Sequence, residues 1–180
     1  MKTKEILALA RNTNTSDLIR EASNIRDKGH GSLVTYSPKV FIPLTHLCRD
    51  VCHYCTFAKT PKKVLSPYMS LKEVIDSAKN AELLGCKEAL FTLGEKPELR
   101  YSAARKALAN MGYHSTLEYL KEASKAVLEN TELLPHLNPG CMTTQEIKEL
   151  RPVAVSMAVS YTHLRAHETR HDLVCRLLLE

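Results

Sequence analysis

The chain has 180 residues, 44% hydrophobic and 25% charged, enough for one ordinary domain with a real core and unlike a disordered segment. Its six cysteines are too sparse for a secreted disulfide framework, and the apolar run after Met1 is too short for a signal peptide or membrane span. The expected setting is therefore the reducing cytoplasm with no membrane partner, and a net charge of +5 spread over several predicted helices speaks against nucleic acid.

Ser16 to Lys28 carries apolar residues at Leu18, Ile19, Ala22 and Ile25 and is followed by Gly29, which predicts an amphipathic helix with a glycine stop. Residues 1–30 thus form a helical extension ahead of a core over 31–158. Lys39 to Leu44 reads as a short buried strand, and three cysteines follow in the loop that leaves it. Ser70 and Glu73 have the capping-box spacing and open a helix through Val74, Ile75, Ala78, Ala81 and Leu84 to Gly85. A second strand is expected near Glu88 to Leu93.

The same box recurs at Ser115 and Glu118, before a helix through Leu120, Ala123, Val127 and Leu128, and at Thr143 and Glu146, before a short helix that ends ahead of Pro152. Leu133 to Leu137 and Val153 to Met157 are the third and fourth expected strands. Strands alternating with amphipathic helices predict an α/β fold with a parallel sheet, in which ligands gather at the C-terminal ends of the strands. The cysteine loop falls at such an end.

Cys48, Cys52 and Cys55 are spaced C-x3-C-x2-C. Three thiols at this spacing can hold a 4Fe-4S cluster and leave its fourth iron free of protein ligands, so that a small molecule can bind there and be reduced. Other readings of the same residues are a structural zinc site completed by His46 or His53, although no second knuckle follows, and a thioredoxin-like pair of Cys52 and Cys55, which leaves Cys48 without a role. Cys86 and Cys141 stand singly beside predicted strands and read as small buried hydrophobes. Lys59, Lys62 and Lys63 read as a solvated turn, and His30, His114 and His136 have no partner spacing.

With aromatic Tyr54 just before the last cysteine, the loop resembles the signature of the radical S-adenosylmethionine (radical SAM) enzymes. The wider string from Val34 to Ala58 resembles one branch of them, the 7,8-didemethyl-8-hydroxy-5-deazariboflavin (FO) synthases, as subunit 1 or the equivalent half of the fused enzyme. The resemblance covers roughly Ser16 to Met157 and implies a TIM-like (β/α) barrel, of which the chain carries about four strands. It implies that Cys48, Cys52 and Cys55 ligate a 4Fe-4S cluster and that S-adenosylmethionine chelates the open iron. It also implies a lyase that closes the deazaflavin ring on an adduct of tyrosine-derived hydroxybenzyl and ribitylaminouracil, with loss of ammonia.

The partners implied are this small-molecule substrate, an electron donor, and subunit 2 or a fused second half. The string Thr92 to Glu98 resembles the family's GGE-type motif, with Leu93 in place of the first glycine. It makes Gly94 and Glu95, with Tyr54, candidate S-adenosylmethionine contacts, and Glu98 a further one. Asn138 to Gly140 reads as a turn that could also face the substrate. A non-catalytic iron-sulfur carrier, synthase subunit 2 and a biotin synthase relative are the alternatives.

From Val159 the text changes character. Residues 159–180 resemble the translation of a sequencing adapter, so the expectation is an artefactual tail, with a divergent terminal helix as the alternative. His163, His167, His171 and Cys175 are accordingly excluded from any metal site. A sheet that stops after four strands would present an unpaired edge, and the chain is expected to be poorly stable alone.

Overall fold

The computed structural model describes residues 4, 7, 8, 11, 14–52 and 55–158. The expectations for Tyr54, His53 and the 159–180 tail lie outside the described residues. The chain divides into two compact units, residues 1–36 and 37–180.

In the first unit, helix α1 spans Thr15–His30. Its N-cap is Asn14, whose side chain accepts from the amides of Ser16 and Asp17 at 3.1 and 3.3 Å. The helix does not stop at Gly29 as expected; it runs one residue further and ends on Gly31, which adopts φ +62° and so tolerates a conformation costly to other residues. None of its residues is buried, and Ile19 and Ile25 are exposed.

The second unit is built on a four-stranded parallel sheet in the order β1-β2-β3-β4: Lys39–Pro43, Glu88–Thr92, Leu134–Asn138 and Ser156–Met157. Strands adjacent in sequence are adjacent in space, as in a barrel rather than a doubly wound sheet. The fourth strand is shorter than expected because Arg151–Val153, around Pro152, closes into a single 3-10 turn. Between the strands lie α2 (Leu71–Leu83), α3 (Ser102–Met111), α4 (Thr116–Asn130) and α5 (Thr144–Leu150).

Ser70 and Thr143 form complete capping boxes with Glu73 and Glu146. Ser115 makes only half of one, because the Glu118 carboxylate accepts from the His114 amide. Such caps are worth about 1 kcal/mol each, which matters most for the seven-residue α5.

Register separates the two faces of the sheet. Ile42, Phe91, Leu137 and Met157 are laterally paired, and the first three are fully buried on the side that joins Val74 and Ala78 of α2 and Leu120, Ala123 and Val127 of α4 in one core. The opposite face carries Phe41, Leu90, His136 and Ser156 in one row and Pro43, Thr92 and Asn138 in the row nearer the strand ends. Phe41 is 51% exposed there, so this second face is open among the described residues.

The open face also carries a polar cluster at its N-terminal end. Lys39 pairs with Glu88, Ser37 Oγ donates to Glu88 at 2.5 Å, and His136 Nδ1, bonded to Ser156 Oγ at 2.6 Å, lies 3.9 Å from the same carboxylate. The bonds from Lys39 and then Ser37 hold the Glu88 carboxyl below the usual range. A depressed folded value means that the unfolded chain takes up the proton first, so this contribution is present above about pH 4.3 and lost as pH falls through the folded value. Glu88→Gln is expected to flatten the acid limb of a pH-stability profile by about 0.5 kcal/mol, since the pair is partly solvated. An unchanged acid limb in urea unfolding would show that the cluster contributes nothing.

Candidate metal centre at the cysteine loop

The loop that carries the cysteines is anchored before it begins. Thr45 is buried, with Oγ1 donating to the Pro67 carbonyl at 2.6 Å and accepting from the Leu47 amide at 3.0 Å. At the far end the Lys59 amide returns to the His46 carbonyl at 2.8 Å, and the Phe57 ring packs 4.5 Å from the His46 ring. His46 is thereby used to close the loop.

The loop is laced to the end of β2. The Gly94 amide donates to the Thr45 carbonyl at 3.1 Å, the Arg49 amide to the Glu95 carbonyl at 2.9 Å, and the Glu95 amide to Cys48 Sγ at 3.3 Å. Gly94 is required for this approach: a Cβ there would overlap the Leu47 carbonyl and fall 2.8 Å from Cys48 Cα. Gly94 was expected as an S-adenosylmethionine contact; the close backbone approach it makes here is to the cysteine loop.

Cys48, Cys52 and Cys55 line one cleft together with Asp50, Phe57, Ala58, Leu93, Gly94 and Glu95. The cavity between them is narrow, about 20 Å³. Among the described residues no three His, Cys, Asp or Glu side chains are drawn together tightly enough to hold a metal ion as they stand. The donor set nevertheless suits a cluster in kind. Three thiols face one cleft, and Cys48 Sγ accepts amide hydrogen bonds from Glu95 and, at 3.4 Å, from Asp50, the type of contact that tunes cluster sulfur.

Burial pushes the Cys48 thiol up against the opposing pull of these two amides. Burial, then the charges of Asp50, Cys55 and Glu95, push Cys52 up as well. Thiols in an acidic, half-buried cleft stay protonated until a metal cation supplies the compensating charge, so loading would release protons.

Glu95 is 1% exposed. Arg49 pairs with its Oε1, and the Cys141 amide donates to Oε2 at 3.1 Å. The carboxylate expected to meet a ligand amine therefore already ties three segments together: the cysteine loop, the β2 end and the loop after β3. Cys141, expected as a buried hydrophobe, is half-buried and joins the site through both its amide and its thiol, which meet Glu95, while Cys86, also half-buried, packs against the core.

Glu98 is committed elsewhere. Its carboxylate accepts from the Thr116 amide at 3.2 Å and Thr116 Oγ1 at 2.5 Å, fixing the first turn of α4. Lys96 takes φ +33°, rare for a side-chain-bearing residue, and its ammonium holds Glu146 of α5 at 2.7 Å. Sequence reasoning missed Arg49, the Cys141 amide and this Lys96 anchor, because none has a spacing signal.

No family model matches the chain. At 50% identity over 163 residues, 86% of this chain aligns with 19% of an FO synthase from Nocardia farcinica. At 47% identity, 89% of it aligns with 20% of the FO synthase of Mycobacterium leprae. Its curated relatives are FO synthases. The 7,8-didemethyl-8-hydroxy-5-deazariboflavin synthase of Methanopyrus kandleri is 46% identical over 127 residues, 71% of this chain and 38% of that protein. The chain thus spans about a fifth of the length of the first FO synthases it matches.

Among solved structures, the FeFe-hydrogenase maturase HydG from Carboxydothermus hydrogenoformans superposes with a TM-score of 0.60 at 24% identity, over 83% of this chain and 32% of HydG. Methylornithine synthase (PylB) superposes at 0.62 and 18% identity, over 88% of this chain and 43% of PylB. Both share with this chain the α/β fold on a parallel sheet that the alternation of strands and helices predicted. No helix among the described residues is long and apolar enough to cross a membrane.

Proposed function

We propose that this chain is the cluster-binding segment of a radical SAM lyase of deazaflavin biosynthesis, acting on the hydroxybenzyl and ribitylaminouracil adduct with loss of ammonia. What supports the reading is one observation: Cys48, Cys52 and Cys55 line a single cleft at the C-terminal end of a parallel sheet, in a chain half identical to FO synthases. Cys48, Cys52 and Cys55 would hold a 4Fe-4S cluster, with Tyr54, Gly94 and Glu95 beside the bound S-adenosylmethionine. When bound, these two groups supply a carbon-centred radical able to abstract hydrogen from the substrate.

The chain's own contribution is positioning. Gly94 and Glu95 hold the cysteine loop against β2, Arg49 neutralises the buried carboxylate, and the open sheet face below the strand ends offers a partly apolar bed for a reactant. A second half, separate or fused, an electron donor and a cytoplasmic setting complete the proposal.

Anaerobic reconstitution with iron and sulfide tests it. The expected result is about four irons per chain with charge-transfer absorbance, both lost in Cys52→Ala. Retention of zinc without iron uptake would replace this reading with a structural zinc site.

A further inference from the structure

Asn138 ends β3 on the open face of the sheet, in the row with Thr92 and Pro43. Its Oδ1 is buried and has no hydrogen-bond partner, alone in this respect among the described side chains. An unpaired buried acceptor costs roughly 1 to 3 kcal/mol, so a fold does not retain one for stability. The neighbouring chain does not satisfy it: Pro139 has no N–H, and the Gly140 amide makes no bond to it. The Cys141 amide is in turn fixed to Glu95, which is bonded to Cys48, so Asn138 stands three residues from the tie that joins β3 to the cysteine loop. The position lies at the C-terminal end of the sheet, the end that also carries the cysteine loop, and its acceptor is unsatisfied.

We infer that Asn138 is a specificity residue that reads a cyclic imide edge of the reactant, its Oδ1 accepting from the ring N–H while its Nδ2 donates to a flanking carbonyl. A carboxamide offers one acceptor and two donors on one planar group, which is the complement of an N–H beside a C=O in a pyrimidinedione. This deepens the proposed function and rests on it, since the ribitylaminouracil part of the adduct carries such an edge. A site that holds a buried acceptor for a substrate N–H rejects the analogue that lacks it, because the acceptor is again left unpaired.

The test uses two probes, 5-amino-6-ribitylaminouracil and its N3-methyl derivative, titrated by calorimetry into the reconstituted protein with S-adenosylmethionine present. The wild type is expected to prefer the N3–H probe by about tenfold or more. Asn138→Leu, close in shape, is expected to bind both probes equally, with iron content unchanged and a Tm equal to or above that of the wild type, because an orphaned acceptor has been removed. Asn138→Ala provides the same comparison should leucine fail to fit.

Persistence of the preference in both variants, or its absence in the wild type, would overturn the assignment. So would an equal weakening of both probes together with a lowered Tm, which would make Asn138 a structural residue. Iron loading and the optical response to S-adenosylmethionine are scored separately. A loaded, responsive protein that ignores both probes sinks this inference alone, whereas a protein that takes up no iron sinks the functional reading with it.

Discussion

Gly94→Ala is expected to abolish iron uptake and to destabilise the fold by about 3 kcal/mol or more, the range for forced overpacking. The new methyl would overlap the Leu47 carbonyl and press on Cys48 Cα, and these are backbone atoms that cannot swing away. Relief requires the β2 end and the cysteine loop to separate. That breaks the Gly94–Thr45 and Arg49–Glu95 backbone bonds and withdraws the Glu95 amide from Cys48 Sγ. Urea unfolding gives the stability change, and iron analysis after reconstitution gives the loading. A variant with wild-type stability and full loading would show that the two segments are not held this closely in solution.

Arg49→Ala carries the second large effect. Its guanidinium is 32% exposed while the carboxylate it faces is 1% exposed, so truncation removes the cationic partner of a buried negative charge that Cys141 also contacts. Breaking such a pair from one side costs about 2 to 4 kcal/mol, less than for a fully buried pair because the arginine is partly solvated. Glu95→Gln is expected to be milder, because the amide stays neutral when the arginine turns to solvent and its carbonyl oxygen can still accept from Cys141. Loading should fall in Arg49→Ala, since uncompensated charge at Glu95 and Asp50 further disfavours Cys48 and Cys52 as thiolates. Equal stability of Arg49→Ala and Glu95→Gln in parallel denaturant titrations would contradict this account of the ion pair.

The parts of this arrangement that were legible in the sequence are those with a local signal. The cysteine spacing, the Ser70 and Thr143 boxes and the apolar runs at β1, β2 and β3 all act over a few residues, and each element appears within one or two residues of its expected place. Helix α3 was not legible. Its apolar side is little more than Ala104 and Leu108, and its N-cap, Tyr101, supplies no capping side chain. The extent of β4 was misjudged because Val153 to Met157 is apolar but for Ser156, and periodicity cannot tell a strand from a 3-10 turn at Pro152 that buries Val153.

Within the site, the sequence identified Gly94 and Glu95 by resemblance but not what they touch. Arg49 meets Glu95 across 46 positions and Cys141 meets it across another 46, contacts that exist only once three parallel strands bring their ends together. Glu98 looked like part of the same motif, yet the 3-10 turn at Pro97–Leu99 carries it away to Thr116. A resemblance thus located the segment, and only the fold sorted its carboxylates into one at the cleft and one under a helix.

The most direct measurement is to add S-adenosylmethionine to the anaerobically reconstituted, reduced protein and follow its electron paramagnetic resonance spectrum and the release of 5'-deoxyadenosine. A cluster held by Cys48, Cys52 and Cys55 alone has an open iron, so the account predicts a changed spectrum on addition and 5'-deoxyadenosine in the reduced sample. Neither should occur in Cys48→Ala, Cys52→Ala or Cys55→Ala. A cluster that forms fully but leaves its spectrum unchanged and yields no 5'-deoxyadenosine would contradict the account and mark the chain as an iron-sulfur electron carrier.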